Sequence, residues 1–165
     1  MENVIEKVKV GIADFNIVHG SQVISTSGLG SCIGLILFDE GRKLAGLVHI
    51  MLPDSSLSRT DEFKLGKFAD TGIEALIKLL EDNGSLKRRL TAKMAGGAQM
   101  FNISSNNEKM KIGHKNAIAV EKILETEGIP LIAKDVGGNK GRSIEFDSES
   151  CQLKIRTVYE GTTYI

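Results

Sequence analysis

Two apolar runs dominate what this chain can fold into. Cys32–Phe38 and Leu44–Met51 are rich in branched and aromatic side chains, and only Asp39-Glu40-Gly41-Arg42-Lys43 separates them. Each has strand length, and neither approaches the run of apolar residues that spans a bilayer. A short polar insert with a glycine between two such runs predicts a β-hairpin, with Glu40-Gly41 as a two-residue loop. Both faces of this hairpin are apolar, so its sheet must be covered on both sides.

The rest of the chain supplies the cover. Val8, Val10 and Ile12 alternate with other residues as in a strand, and Gln22–Ser25 reads as a second, short strand. Leu52-Pro53-Asp54-Ser55-Ser56 breaks the hairpin's exit strand. Phe63, Leu65, Phe68, Ile73, Leu76, Ile77 and Leu80 then recur at helical spacing, stopped by Asn83-Gly84. Leu90–Met94 is a strand ended by Gly96-Gly97-Ala98. A second helix spans Ile112–Glu127, with Ala117, Val120, Ile123 and Leu124 inward and Gly128 closing it. Ile129–Val136, Ser143–Phe146 and Gln152–Val158 complete the strands, around a turn at Gly137–Gly141. The chain carries no repeat, linker or low-complexity tract. The expectation is one α/β domain over residues 1–165: a layered sandwich with a mixed sheet and two main helices on its faces.

Composition narrows the partners. Lys plus Arg and Asp plus Glu each number 21, so no global basic field attracts nucleic acid. Tryptophan is absent and aromatics make up 5%, which weakens base stacking further. A membrane-surface protein would carry more lysine and arginine. The charged start, Met1-Glu2-Asn3-Val4-Ile5-Glu6-Lys7, lacks a signal peptide's apolar middle, and two cysteines are too few for a disulfide framework. A soluble protein of the reducing cytoplasm is expected, with Cys32 a free thiol.

The hairpin register singles out a pair. If Glu40-Gly41 forms the loop, Asp39 pairs with Arg42, and Cys32 then falls opposite His49 on the same face. Directly opposed side chains have Cβ atoms about 4.5–5.5 Å apart, within reach for an imidazole to take a thiol proton. A slip of one residue would separate them. Nucleophilic chemistry also asks for a group that orients the base. Thr26, six residues before Cys32, offers a hydroxyl, and Ser27 and Asp54 are the alternatives. The residues alone leave two readings of Cys32 open: a small packing residue, or a nucleophile at the rim of a sheet.

The approach Gly28-Leu29-Gly30-Ser31 suits close backbone contact with a developing oxyanion. The Cys32 amide is the first donor candidate, with Gly30, Ser31 and Ser27 as further oxyanion or substrate-binding candidates. A phosphate loop is excluded, because the Gly-Lys-Ser/Thr ending and the following helix are missing. Gly137–Arg142 precedes a strand and reads as a turn. His19 and His114 have no ligand-spaced companions, so no metal is expected. Cys151 sits in a polar turn, and Lys87-Arg88-Arg89 reads as a solvated face.

The stretch Thr26–Cys32, followed by Val48-His49-Ile50-Met51-Leu52-Pro53-Asp54-Ser55, resembles the CheD family, the chemoreceptor glutamine deamidases of bacterial chemotaxis. The likeness continues through Gly96-Gly97-Ala98-Gln99-Met100-Phe101, Ile112-Gly113 with Asn116, and Asp135-Val136-Gly137-Gly138 with Gly141-Arg142. It spans nearly the whole chain. The resemblance implies a cysteine–histidine–threonine set on Cys32, His49 and Thr26, and a CheD-like α/β sandwich shared with glutamine-deamidating toxins. It also implies hydrolysis of receptor glutamine to glutamate through a cysteine thioester, with no cofactor. The implied partners are the cytoplasmic domains of methyl-accepting chemoreceptors and a CheC-type phosphatase. Neither nucleic acid binding nor membrane insertion is expected, and a monomer is the default because no apolar stripe is left over. Two rivals stand beside this reading. A cysteine peptidase would use the same dyad, and a binding module would act mainly by stimulating the phosphatase.

Overall fold

The computed structural model describes residues 6–100 and 111–165. Met1–Ile5 and Phe101, the end of one motif quoted above, lie outside them. The described residues form ten strands and two helices, numbered here in chain order. One sheet runs, in spatial order, β2 (Phe15–His19), β5 (Leu44–Ile50), β4 (Ile33–Asp39), β6 (Thr91–Gly96) and β7 (Leu131–Val136). The other runs β1 (Lys7–Lys9), β3 (Val23–Leu29), β8 (Arg142–Asp147), β9 (Leu153–Thr157) and β10 (Gly161–Tyr164). Helices α1 (Ala69–Asp82) and α2 (Ile112–Glu127) pack on one face of the first sheet.

The molecule thus has three layers, helix, sheet and sheet, with the hairpin in the middle. One face of the hairpin carries Ile33, Leu35, Leu37, Val48 and Ile50 against Ile73, Leu76, Leu80, Val120 and Leu124 of the helices. Its other face carries Ile36, Phe38, Ala45 and Leu47 against Ile24, Leu29, Ile144, Phe146 and Ile155 of the second sheet. Double cover explains why every residue of β4 and β5 is buried. By contrast β8 alternates buried and half-buried residues, because the far face of its sheet meets solvent. Each fully buried Leu, Ile or Phe contributes about 1.5–3 kcal/mol, so these two seams hold the fold together. Both sheets are mixed: β6–β7 and β1–β3 are parallel, and the other pairs are antiparallel.

Several expectations need correction. Helices do not cover both faces of a single sheet; a second sheet takes one side. Ile12 is exposed and lies beyond β1. The periodicity from Phe63 predicts a helix too early, since α1 begins at Ala69. Leu65–Lys67 forms a turn of 3-10 helix and only Phe68 is extended; the Met51 and Leu52 amides donate to Lys67 O, and Ala69 N–H donates to Leu52 O, which ties this segment to the hairpin's exit.

The turn also differs. Glu40–Arg42 is one turn of 3-10 helix, capped by Asp39, with Lys43 in the left-handed region at φ 51°. Asp39 therefore pairs with Leu44 rather than Arg42, and the register moves by two residues. His49 sits opposite Gly34 rather than Cys32. Because the slip is even, no side chain changes face.

Candidate functional site

His49 projects from β5 into the space between the sheets, where it meets Thr26 on β3. Their Nδ1 and Oγ1 atoms are 2.8 Å apart, and both residues are buried. The Thr26 hydroxyl has one proton, which it donates to Val10 O at 2.7 Å. Oγ1 therefore accepts from His49, which places the ring proton on Nδ1. Nε2 is left with a lone pair, buried and without a partner among the described residues. Burial also lowers the imidazole pKa from 6.5 to about 4. The ring is a neutral base at physiological pH, with its free nitrogen fixed.

Cys32 lies just before β4, two residues ahead of Gly34, the partner of His49. It is half-buried and packs against the core between the sheets, the side from which His49 reaches Thr26. Diagonal neighbours of this kind have backbones about 7–8 Å apart, with their Cβ atoms closer. Position 34 has to be small, since a Cβ there would lie 2.6 Å from Ile144 Cδ1 and 3.0 Å from Leu29 Cδ1. Desolvation pushes the Cys32 thiol pKa up. Thiol and imidazole are thus both neutral at rest.

A brace built from distant segments fixes the cysteine's backbone. Gly97 N–H donates to Cys32 O at 2.9 Å, and Ala98 N–H donates to Gly30 O at 2.8 Å. Gly96, at φ +120°, passes so close to the Cys32 carbonyl oxygen that no Cβ fits. The buried guanidinium of Arg142 crosses from the second sheet to donate to Gly96 O at 3.1 Å, and it pairs with Asp135 at 3.3 Å. Gly30 N–H is used by Gly28 O, whereas the Ser31 and Cys32 amides have no backbone partner among the described residues.

The other sequence candidates fall elsewhere. Ser27 is exposed and lines a shallow cavity of about 310 Å³ on the far face of the second sheet, beside Lys9 and Arg156. Asp54 accepts from Ser56 N–H at 2.8 Å, which leaves Thr26 as the side chain that meets His49 Nδ1. Among the described residues no three His, Cys, Asp or Glu side chains converge as metal ligands. Arg142 and Asn116, both buried around the thiol's segment, were overlooked as site residues. Both stand among the residues that carry the family resemblance, and each is a polar residue at an inward position of its element.

A family profile described as CheD chemotactic sensory transduction matches residues 51–157. The chemoreceptor glutamine deamidase CheD of Bacillus licheniformis is 52% identical over 158 residues, covering 96% of this chain and 94% of the relative. The chain belongs to the CheD family. Two further CheD relatives carry the same name: that of Halalkalibacterium halodurans, 52% identical over 93% of this chain and 95% of its own length, and that of Bacillus subtilis, 50% identical over 93% of each. The CheD profile match begins after Thr26, Cys32 and His49, but the likeness to whole CheD relatives extends across all three. No helix among the described residues is long and apolar enough to cross a membrane.

Proposed function

We propose that this protein hydrolyses glutamine side chains on the cytoplasmic domains of chemoreceptors to glutamate, with Cys32 as nucleophile, His49 as acid and base, and Thr26 as the residue that orients His49. The observation that carries the reading is the Thr26–His49 hydrogen bond, with the free Nε2 it leaves on the face that Cys32 shares.

The chemistry follows from those protonation states. As Sγ attacks the carboxamide carbon, its proton passes to Nε2, and the oxyanion is held by backbone N–H groups of Ser31 and Cys32. Burial makes the His49 imidazolium a stronger acid than usual, so it gives its proton to the departing amine and ammonia leaves. Water then loses a proton to Nε2 as it attacks the thioester. The thiolate departs and recovers that proton, and glutamate is released. Thr26 carries no charge to stabilise the imidazolium, so its contribution is alignment and tautomer.

The protein would act in the cytoplasm as a monomer. The resemblance that points to receptors also names a CheC-type phosphatase as a second partner, which a pull-down with purified phosphatase would test. Mass spectrometry of a receptor cytoplasmic fragment incubated with the protein tests the activity. Conversion of glutamine to glutamate is expected with the intact thiol and not with Cys32→Ala. Conversion by both proteins would remove Cys32 from the chemistry. Conversion by neither would favour the phosphatase-binding reading.

A further inference from the structure

Asn116 is fully buried on α2, one turn beyond Gly113. Its Nδ2 donates to Ser31 O and to Met51 O, each at 2.9 Å, and its Oδ1 has no partner among the described residues. Two carbonyls need two donors, so the amide's orientation is settled by its contacts. The two carbonyls belong to the two strands of the hairpin, just past its last pair, Ile33 with Ile50. Beyond that pair the ladder ends. Met51 N–H turns away to Lys67 O, and Cys32 O takes Gly97 N–H. One carboxamide therefore bridges the strands where they part, and Cys32 stands in the opening. Gly113 lets the helix come this close, because a Cβ there would collide with the Ala98 and Gly97 carbonyls.

The consequence lies in a single peptide plane. Ser31 C=O and Cys32 N–H share one planar trans unit and point in opposite directions. Holding the carbonyl against α2 therefore aims the amide hydrogen away from the helix, and that hydrogen has no backbone partner among the described residues. We propose that Asn116 is a positioning residue that aims the Cys32 amide as the oxyanion donor of the glutamine-hydrolysing site. This rests on the deamidase reading above. Ordinary structural glue would explain the same two hydrogen bonds, but it makes a different prediction for chemistry that forms no oxyanion.

The test compares two reactions of the same thiol in the wild type and in Asn116→Ala. Deamidation of a receptor fragment passes through an oxyanion, whereas alkylation of Cys32 by iodoacetamide does not. Loss of one such donor costs about 10²–10³-fold in kcat. The expected result is a loss of that order in kcat with KM little changed, while the alkylation rate stays within about twofold. A folded variant with kcat near the wild type's, or one whose alkylation falls in step with kcat, overturns the proposal. A wild type inactive on the fragment overturns the deamidase reading and this inference with it; an active wild type matched by the variant overturns this inference alone. Should the alanine variant not fold, the wild type can be crystallised with a peptide carrying an aldehyde in place of the glutamine amide. The hemithioacetal oxygen is expected about 2.7–3.1 Å from Cys32 N, with Ser31 O still on Asn116. An oxygen held elsewhere refutes the assignment.

Discussion

Replacing Thr26 by valine keeps the side chain's shape and removes its hydroxyl. That hydroxyl serves two groups, accepting from His49 Nδ1–H and donating to Val10 O. The variant leaves both without partners in the space between the sheets. A buried polar group stripped of its partner costs about 1–3 kcal/mol, so the pair should cost about 2–4 kcal/mol once the ring relaxes. Activity should suffer more than stability. Without an acceptor at Nδ1, the ring proton is free to move to Nε2, and the base disappears. The wrong-tautomer variant of a serine protease triad loses about 10⁴ in kcat; threonine supplies only alignment, so about 10²–10³ is expected here. Thr26→Ser retains the hydroxyl and should stay within about tenfold of the wild type. Guanidinium unfolding gives the stability term, and single-turnover mass spectrometry of a receptor fragment gives the rate. A Thr26→Val protein that deamidates within about threefold of the wild type would refute the reasoning. So would a serine variant as damaged as the valine one, because the methyl group and not the hydroxyl would then matter.

Three further outcomes follow from the same geometry. The folded His49 pKa of about 4 lies below the usual 6.5, so the unfolded chain takes up the proton first as pH falls. Stability from this residue is complete above about pH 6.5 and is lost towards pH 4, by at most about 3 kcal/mol at about 1.36 kcal/mol per pH unit; unfolding curves of His49→Gln should lack that slope. The raised thiol pKa of Cys32 predicts slow iodoacetamide alkylation at pH 7 that climbs through and beyond pH 9, and a fast reaction with a midpoint well below 9 would contradict it. Gly96→Ala combines a strained φ of +120° with a Cβ driven into the Cys32 carbonyl, so it should cost several kcal/mol in chemical unfolding and nearly all activity; a stable, active alanine variant would show that the brace is dispensable.

The hairpin was legible because double burial writes itself as two unbroken apolar runs. The second sheet was harder to see. Its strands announce themselves singly, as in the alternation of β8, but nothing in one strand says which sheet it joins. β10 is exposed along its whole length, so it carries no hydrophobic signal, and β2 is an edge strand of five residues. The hairpin turn misled because its left-handed residue is Lys43 rather than Gly41, a choice that depends on the Asp39 cap. The error was two residues, so Cys32 and His49 stayed on one face, although not opposite each other. Thr26 lies on the other sheet, and the meeting of its hydroxyl with His49 depends on how the layers stack. Spacing within the hairpin carries no trace of that meeting. Asn116 and Arg142 reach the thiol's segment from α2 and β8, and such convergence is a property of the packed layers.

The most direct test of the cysteine–histidine–threonine account is to quench the wild-type reaction with acid during turnover of a receptor fragment and digest the mixture for mass spectrometry. The account predicts a Cys32 peptide joined to the receptor glutamine peptide, lighter by one ammonia and released by hydroxylamine, forming and decaying at rates that match glutamate production. Glutamate accumulating at full rate while Cys32 is never acylated would contradict it.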